Sequence, residues 1–371
     1  MQFKISFVKN LLMLLTAFTL LNASCAPAPK SDFGIVFSAN LDGNQDVFYM
    51  SSANPETMER LTYTPNESEK AIKVTRDGSR ILFYVPGPTT DQITSSALKP
   101  PATYAHTYVL NLKTKKAEEV NDGAGLNPTM PQGWSIDSEQ VVLSEISSRK
   151  IYLVNPDEKS AQEIAIPPSG VSEIFEFSYA PDGKRVFYTL NNKYAEPSFT
   201  SFLYDLETKT EAQLGDVKAN CLHAVWSPTG NQVLLVCDLS TDGISPNYHV
   251  YIFDVTGEDA INAKGIADFP QCTMPAWSPD GKQVAMLCTQ NGHSGVFLAN
   301  SDGSGYKEIK FSANAPAHVW ELAWSPSGQQ LLFVAGKDRG SSYICVTNID
   351  GSNLHTVTEQ KGNYGNLSII P

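Results

Sequence analysis

The chain has 371 residues, a net charge of −12 and 42% apolar residues. Its 39 acidic residues against 27 basic ones exclude nucleic acid and anionic lipid headgroups as main partners, since both require basic surface. Length alone points to two or three domains, but an internal repeat replaces that expectation with a single domain.

The N-terminus carries Lys4 and Lys9 and then an apolar run over 11–21, the arrangement of an export signal and too short to span a bilayer. No later segment is long and apolar enough to cross one. The residues Asn22-Ala23-Ser24-Cys25 that follow resemble the lipobox of bacterial lipoproteins, with Asn22 standing where leucine is usual. The resemblance implies a signal peptide over 1–24, a lipid on Cys25 and a linker over 25–32. An ordinary cut after Ala28 is the alternative, disfavoured by Pro29 just past that bond. From Cys25 onward the chain would carry a net charge of −14.

Six segments then align on one turn, from VTRDGSRILFY at 74–84 to AWSPSGQQLLF at 323–333, with the glycine position at 78, 138, 183, 230, 281 and 328. Proline presets the first turn position, a small polar residue follows, and glycine takes the left-handed geometry that reverses the strand. Arg76 and Ile136 replace the proline in two copies and Ser138 also replaces glycine, so those two hairpins are expected to be looser. An alternating strand follows each turn, then a second strand type (KIYLVNP at 150–156, VYIFDVT at 250–256), then a polar outer strand.

Four strands per repeat predict propeller blades. The second strand type occurs seven times against six complete turns, and the first repeat, from FGIVFSAN at 33–40, lacks an innermost strand. The segment GNYGNLSIIP at 362–371 has that strand's pattern, with Pro371 at the place of Pro326. The sequence thus predicts an all-β, seven-bladed propeller over 33–371, closed by the C-terminal strand completing the first blade.

The Trp-Ser-Pro-Asp-Gly turn followed by IYLVN or VFLANSDGS resembles the TolB-type repeat, a relative of WD40-like propellers, over residues 33–371. The resemblance implies the fold. It says little of activity, because propellers host many functions. TolB proteins also carry an N-terminal α/β domain, for which only CAPAPKSD is available here.

Cys221 and Cys272 precede their tryptophans by five residues, and Cys237 and Cys288 follow their glycines by seven. Folding each hairpin about its turn sets the two cysteines opposite each other, which predicts disulfides Cys221–Cys237 and Cys272–Cys288. Cross-pairing, as Cys237 with Cys272, and four buried thiols are the alternatives. Cys345, inside an apolar strand, reads as an inert core thiol. Trp134, Trp226, Trp277 and Trp324 recur with the turn and read as inter-blade core. The segment DGNQD at 42–46 lacks the later glutamate of a calcium loop and reads as a strand connection.

Propeller topology places the long connections 85–106, 191–201 and 238–249 on one face, where binding residues usually sit. Tyr104, Tyr194, Phe199 and Tyr248 in these loops, with Trp320, His223, His249 and His318 near the channel, are the candidate ligand- or partner-binding residues. Glu173, Glu176 and Glu321 lie near the same mouth and make a metal or acid–base site the competing use, although no two histidines have a chelating spacing. No catalytic motif and no cofactor motif is present. The leading expectation is therefore a monomeric, envelope-anchored, non-catalytic scaffold that binds an envelope or extracellular protein through its long-loop face. The alternative is a carbohydrate- or peptide-active enzyme, or a sugar-binding module, with its site at the channel mouth.

Overall fold

The computed structural model describes residues 32–370 apart from 65–66, 87–104, 121–125, 127–128, 147–149, 165–172, 193–196, 216–217, 241–246, 257–263, 291–292, 312–315 and 317. Asp32–Pro371 form one compact unit. Within it the chain makes seven antiparallel sheets of four strands each. The second strand of each sheet is a continuous apolar run, because both of its faces are covered. Ile81 and Phe83 pack toward one neighbouring sheet, and Leu82 packs toward the other. Seven apolar clusters result, one between each pair of adjacent sheets, including first with last. That cyclic order makes the sheets the blades of a seven-bladed β-propeller.

The innermost strands line the central channel. In blades 2 to 7 they are Lys70–Val74, Thr129–Trp134, Glu173–Tyr179, Asn220–Trp226, Cys272–Trp277 and His318–Trp324. Blade 1 takes its innermost strand from the other end of the chain. Asn363–Ile370 pairs antiparallel with Gly34–Asn40, which completes the blade as the sequence predicted. Pro371 lies outside the described residues.

The repeated turn is a contact between blades as well as a reversal. The glycines at 183, 230, 281 and 328 all have φ near +70°. A Cβ on them would meet Ile136, Pro181, Pro228 and Pro279 respectively, each the proline position of the preceding blade. A Cβ on Gly78 would come within 2.3 Å of Ile370 in the closing strand. The looser hairpins expected at 76 and 136–138 do not occur. Ser138 adopts φ 62° itself, its N–H donates to the Ser135 carbonyl at 2.9 Å as the glycines do, and its hydroxyl accepts from the Arg76 N–H at 3.3 Å. Asp137 secures that turn by accepting from the Ser135 hydroxyl and the Glu139 N–H. Three tryptophan indoles extend the stitching: Trp134, Trp277 and Trp324 donate to the carbonyls of Lys73, Val225 and Ala276 in the preceding blade. Trp226 departs from this pattern, its Nε1 lacking a partner among the described residues while Arg185 lies over its ring.

Both disulfides form as the spacing predicted. Cys221 stands opposite Cys237 and Cys272 opposite Cys288 in the strand register, and each pair is bonded. Gly215 makes room for the first, since a Cβ there would lie 2.6 Å from the Cys221 Sγ. Cys345 is a buried free thiol whose pKa burial pushes up to about 11, as expected of an inert core position. The 42–46 segment turns between strands, and Arg60 binds both Asp42 and Asp46 across it.

Candidate functional site

Every innermost strand carries one extra residue relative to its neighbour, a β-bulge facing the channel. A bulge leaves backbone N–H groups without ladder partners. In three places a side chain from the preceding blade supplies one. Gln132 Oε1 accepts from the Phe177 N–H at 3.0 Å, while its Nε2 donates to Ser144. Glu321 accepts from the N–H groups of Asn366 and Leu367 at 3.0 and 2.9 Å, which ties blade 7 to the closing strand. Glu176 accepts from the His223 N–H and also bonds His223 Nδ1, both at 2.8 Å.

This last arrangement fixes an imidazole. His223 sits in the left-handed region at φ 58°, a conformation uncommon outside glycine, with its side chain half exposed to the channel. The carboxylate at Nδ1 sets the ring's orientation. Lys73 belongs to the innermost strand of blade 2. Its side chain crosses Gly133, where a Cβ would come within 3.1 Å of the Lys73 Cδ. Desolvation of the Lys73 ammonium holds it below its ordinary range, and the charge of Glu176 opposes that effect.

A pocket of about 670 Å³ opens where blades 2, 3 and 4 meet. Lys70, Met130 and Glu173 near the starts of innermost strands, and Pro86, Glu145 and Asn191 at the ends of second strands, border it. Those strand ends place the pocket on the long-loop face. Phe175, the bulge residue of blade 4, projects into it with 45% of its surface exposed and packs on Phe199 at 4.9 Å between ring centroids.

The structure thus draws one predicted residue, Phe199, to the pocket's edge and another, His223, to the channel wall beside it. His249 has both ring nitrogens bonded, to Asp268 and Asn247. Tyr248 next to it is exposed at the stem of the 238–249 loop. His318 stacks obliquely near Trp320 in blade 7, and the Arg339 guanidinium also faces that indole. Tyr104, Tyr194 and Cys25 lie outside the described residues. Among the described residues no three histidine, cysteine, aspartate or glutamate side chains gather as a metal site. The sequence reading missed Phe175, Gln132 and the bulge-holding roles of Glu176 and Glu321.

The sequence profile described as the TolB beta propeller domain matches residues 178–360. The chain is a TolB-like β-propeller. The TolB-like chain is 23% identical over 242 residues to the Tol-Pal system protein TolB of Francisella tularensis, covering 64% of itself and 52% of that protein. It is likewise 23% identical over 211 residues to the uncharacterized peptidase YuxL of Bacillus subtilis, covering 55% of itself and 29% of that protein. It therefore spans about half the length of the TolB relative and less than a third of YuxL. Among solved structures, the periplasmic gluconolactonase PpgL of Pseudomonas aeruginosa superposes with a TM-score of 0.58 over 92% of this chain and 99% of that one, at 12% identity. That likeness establishes the shared propeller fold alone.

Proposed function

We propose that this TolB-like propeller is an exported, non-catalytic interaction module that binds another protein through its long-loop face. The observation that carries the reading is the pocket between blades 2, 3 and 4, with an exposed aromatic in its wall, at strand ends from which the long connections of the sequence start. Exposed apolar surface on a rigid scaffold is typical of recognition sites. The two disulfides fit an oxidising compartment, and the similarity to a Tol-Pal system protein fits an envelope partner. On this reading residues 1–24 are the export signal, 25–32 a linker lipidated at Cys25, and 33–371 the propeller.

Crosslinking in intact cells, followed by mass spectrometry of the tagged protein, tests the proposal. One stoichiometric partner, lost on Phe199→Ser or Tyr248→Ser with the fold intact, is the expected result. No partner above background overturns it. One observation favours the alternative of a carbohydrate- or peptide-active enzyme: the Glu176–His223 pair orients an imidazole as an acid–base group requires. Turnover of a glycan or peptide abolished by His223→Gln would establish that reading instead.

A further inference from the structure

A second, smaller cavity of about 150 Å³ is bordered by Lys73 of blade 2, Trp134 and Ile136 of blade 3, and Phe177 and Tyr179 of blade 4. It shares Gln132 with the larger pocket and is otherwise lined by different residues. Two of its polar side chains are engaged. Gln132 accepts from the Phe177 N–H at 3.0 Å and donates to the Ser144 hydroxyl at 2.8 Å, and the Ser178 hydroxyl donates to the Tyr179 carbonyl at 3.4 Å. The Lys73 amine and the Tyr179 hydroxyl have neither a hydrogen bond nor an ion pair among the described residues. Gly133, at φ 144°, keeps space for that amine, since a Cβ there would lie 3.1 Å from the Lys73 Cδ and 3.3 Å from its Nζ.

Each group is held in the form the other complements. Lys73 is exposed, so a solute can reach it, yet desolvation of its ammonium favours the free amine, a nucleophile. Burial and then the charge of Asp137 push the Tyr179 phenol up to about 12, so it keeps its proton and can donate it. A carbonyl compound uses both groups, its carbon taking the lone pair and its oxygen the proton. A carboxylate would instead need the ammonium, which the surroundings disfavour. A space of about 150 Å³ admits a molecule of roughly benzene's size.

We infer that Lys73 binds a small carbonyl compound as an imine in this cavity, with Tyr179 attending its oxygen. The lone pair of the amine forms the C–N bond, and the carbinolamine that results expels its oxygen. That oxygen leaves as water carrying the two protons of the original amine, one of them passed through Tyr179, and C=N remains. Nothing else is consumed. The site is an addition to the interaction module and does not depend on it.

Propanal at pH 7 with excess cyanoborohydride, which reduces the imine to a stable secondary amine, tests this when the rate at each lysine is followed by peptide mass spectrometry. Lys73 is expected to react at least about tenfold faster than the exposed surface lysines Lys113 and Lys209. A water-soluble pyrene aldehyde, too large for the cavity, should show no such preference. Tyr179→Phe should slow Lys73 about tenfold and leave Lys113 unchanged. Glu176→Gln removes a charge that favours the ammonium and should speed Lys73 by about two- to fivefold. Modification of Lys73 no faster than of the surface lysines would overturn the site. An equal preference with the pyrene aldehyde would do so as well, since the amine would then be reactive without the cavity. Both of those comparisons use the unaltered protein, so they hold even where a variant fails to fold. A Lys73 rate untouched by Tyr179→Phe in a folded variant would likewise sink the paired amine and phenol.

Discussion

The two faces of the ring are built by opposite rules. On the turn face each reversal must fit the one before it: the glycines at 183, 230, 281 and 328 rest on the proline position of the preceding blade, and even Ser138 is forced into their left-handed shape. On the long-loop face the connections differ in length from blade to blade, and Phe175 and Tyr248 are left exposed. Repetition therefore marks where the ring must close on itself, and irregularity marks where it is free to vary. The same division appears among polar groups. The turn-face aspartates Asp77, Asp137 and Asp280 are held below the ordinary carboxylate range, first by serine or threonine hydroxyls within their own turns. On the other face Glu69, buried beside Asp46, is pushed up to about 7 by that burial and by its neighbour's charge.

The contrast can be broken most severely at Gly78. Valine there would combine a left-handed backbone with a side chain driven into Ile370, and should cost about 3–4 kcal/mol in chemical denaturation. A β-branched residue on an irregular loop with free space should cost far less. Replacing Cys221 and Cys237 by serine should cost about 3 kcal/mol for the 16-residue separation it frees, read as a drop in the thermal midpoint. Blade 7 holds Val319 opposite Ala335 at the corresponding register. A cystine introduced there should form and recover part of that loss.

Glu69 gives the third test. Its folded pKa lies above the unfolded value, so the folded state binds the proton more tightly, and the associated stability is complete below about pH 4.5 and lost as pH rises to about 7. Glu69→Gln mimics the protonated form and can still accept from Thr64. It should flatten that slope and be more stable than the parent at pH 8 by up to about 3 kcal/mol, measured by urea unfolding across the pH series. The smallest effect belongs to Ser138→Gly, which relieves the one non-glycine repeat turn and should stabilise by about 1 kcal/mol. No gain there would mean that the bond from Arg76 to the Ser138 hydroxyl offsets the backbone strain.

Much of the fold was legible because its determinants are local. The turn residues, the alternation of the second strands and the equal spacing around Cys221, Cys237, Cys272 and Cys288 each act within one hairpin, so the chain states them directly. Closure was legible by elimination, from a blade lacking a strand and a strand lacking a blade. The candidate site was not, because it is made of bulges. In Glu173–Tyr179 simple alternation cannot place Phe175 and Phe177 on different surfaces, yet one extra residue exposes the first and buries the second. Gln132, Glu176 and Glu321 look in sequence like ordinary polar strand residues. Their work lies in the next blade, at 45 to 47 positions' remove, where no motif records it.

The pairing of Gly34–Asn40 with Asn363–Ile370 has a consequence in time as well as in space. A chain delivered residue by residue holds an unsealed first blade until its last strand arrives, and no earlier contact can substitute. So wide a separation makes assembly slow and the intermediate adhesive, with an unpaired edge on offer to any neighbour. Once sealed, the same contact inverts the advantage, since no blade can peel away without breaking the joint between the two ends. The ring's lifetime is then governed by how often that joint opens.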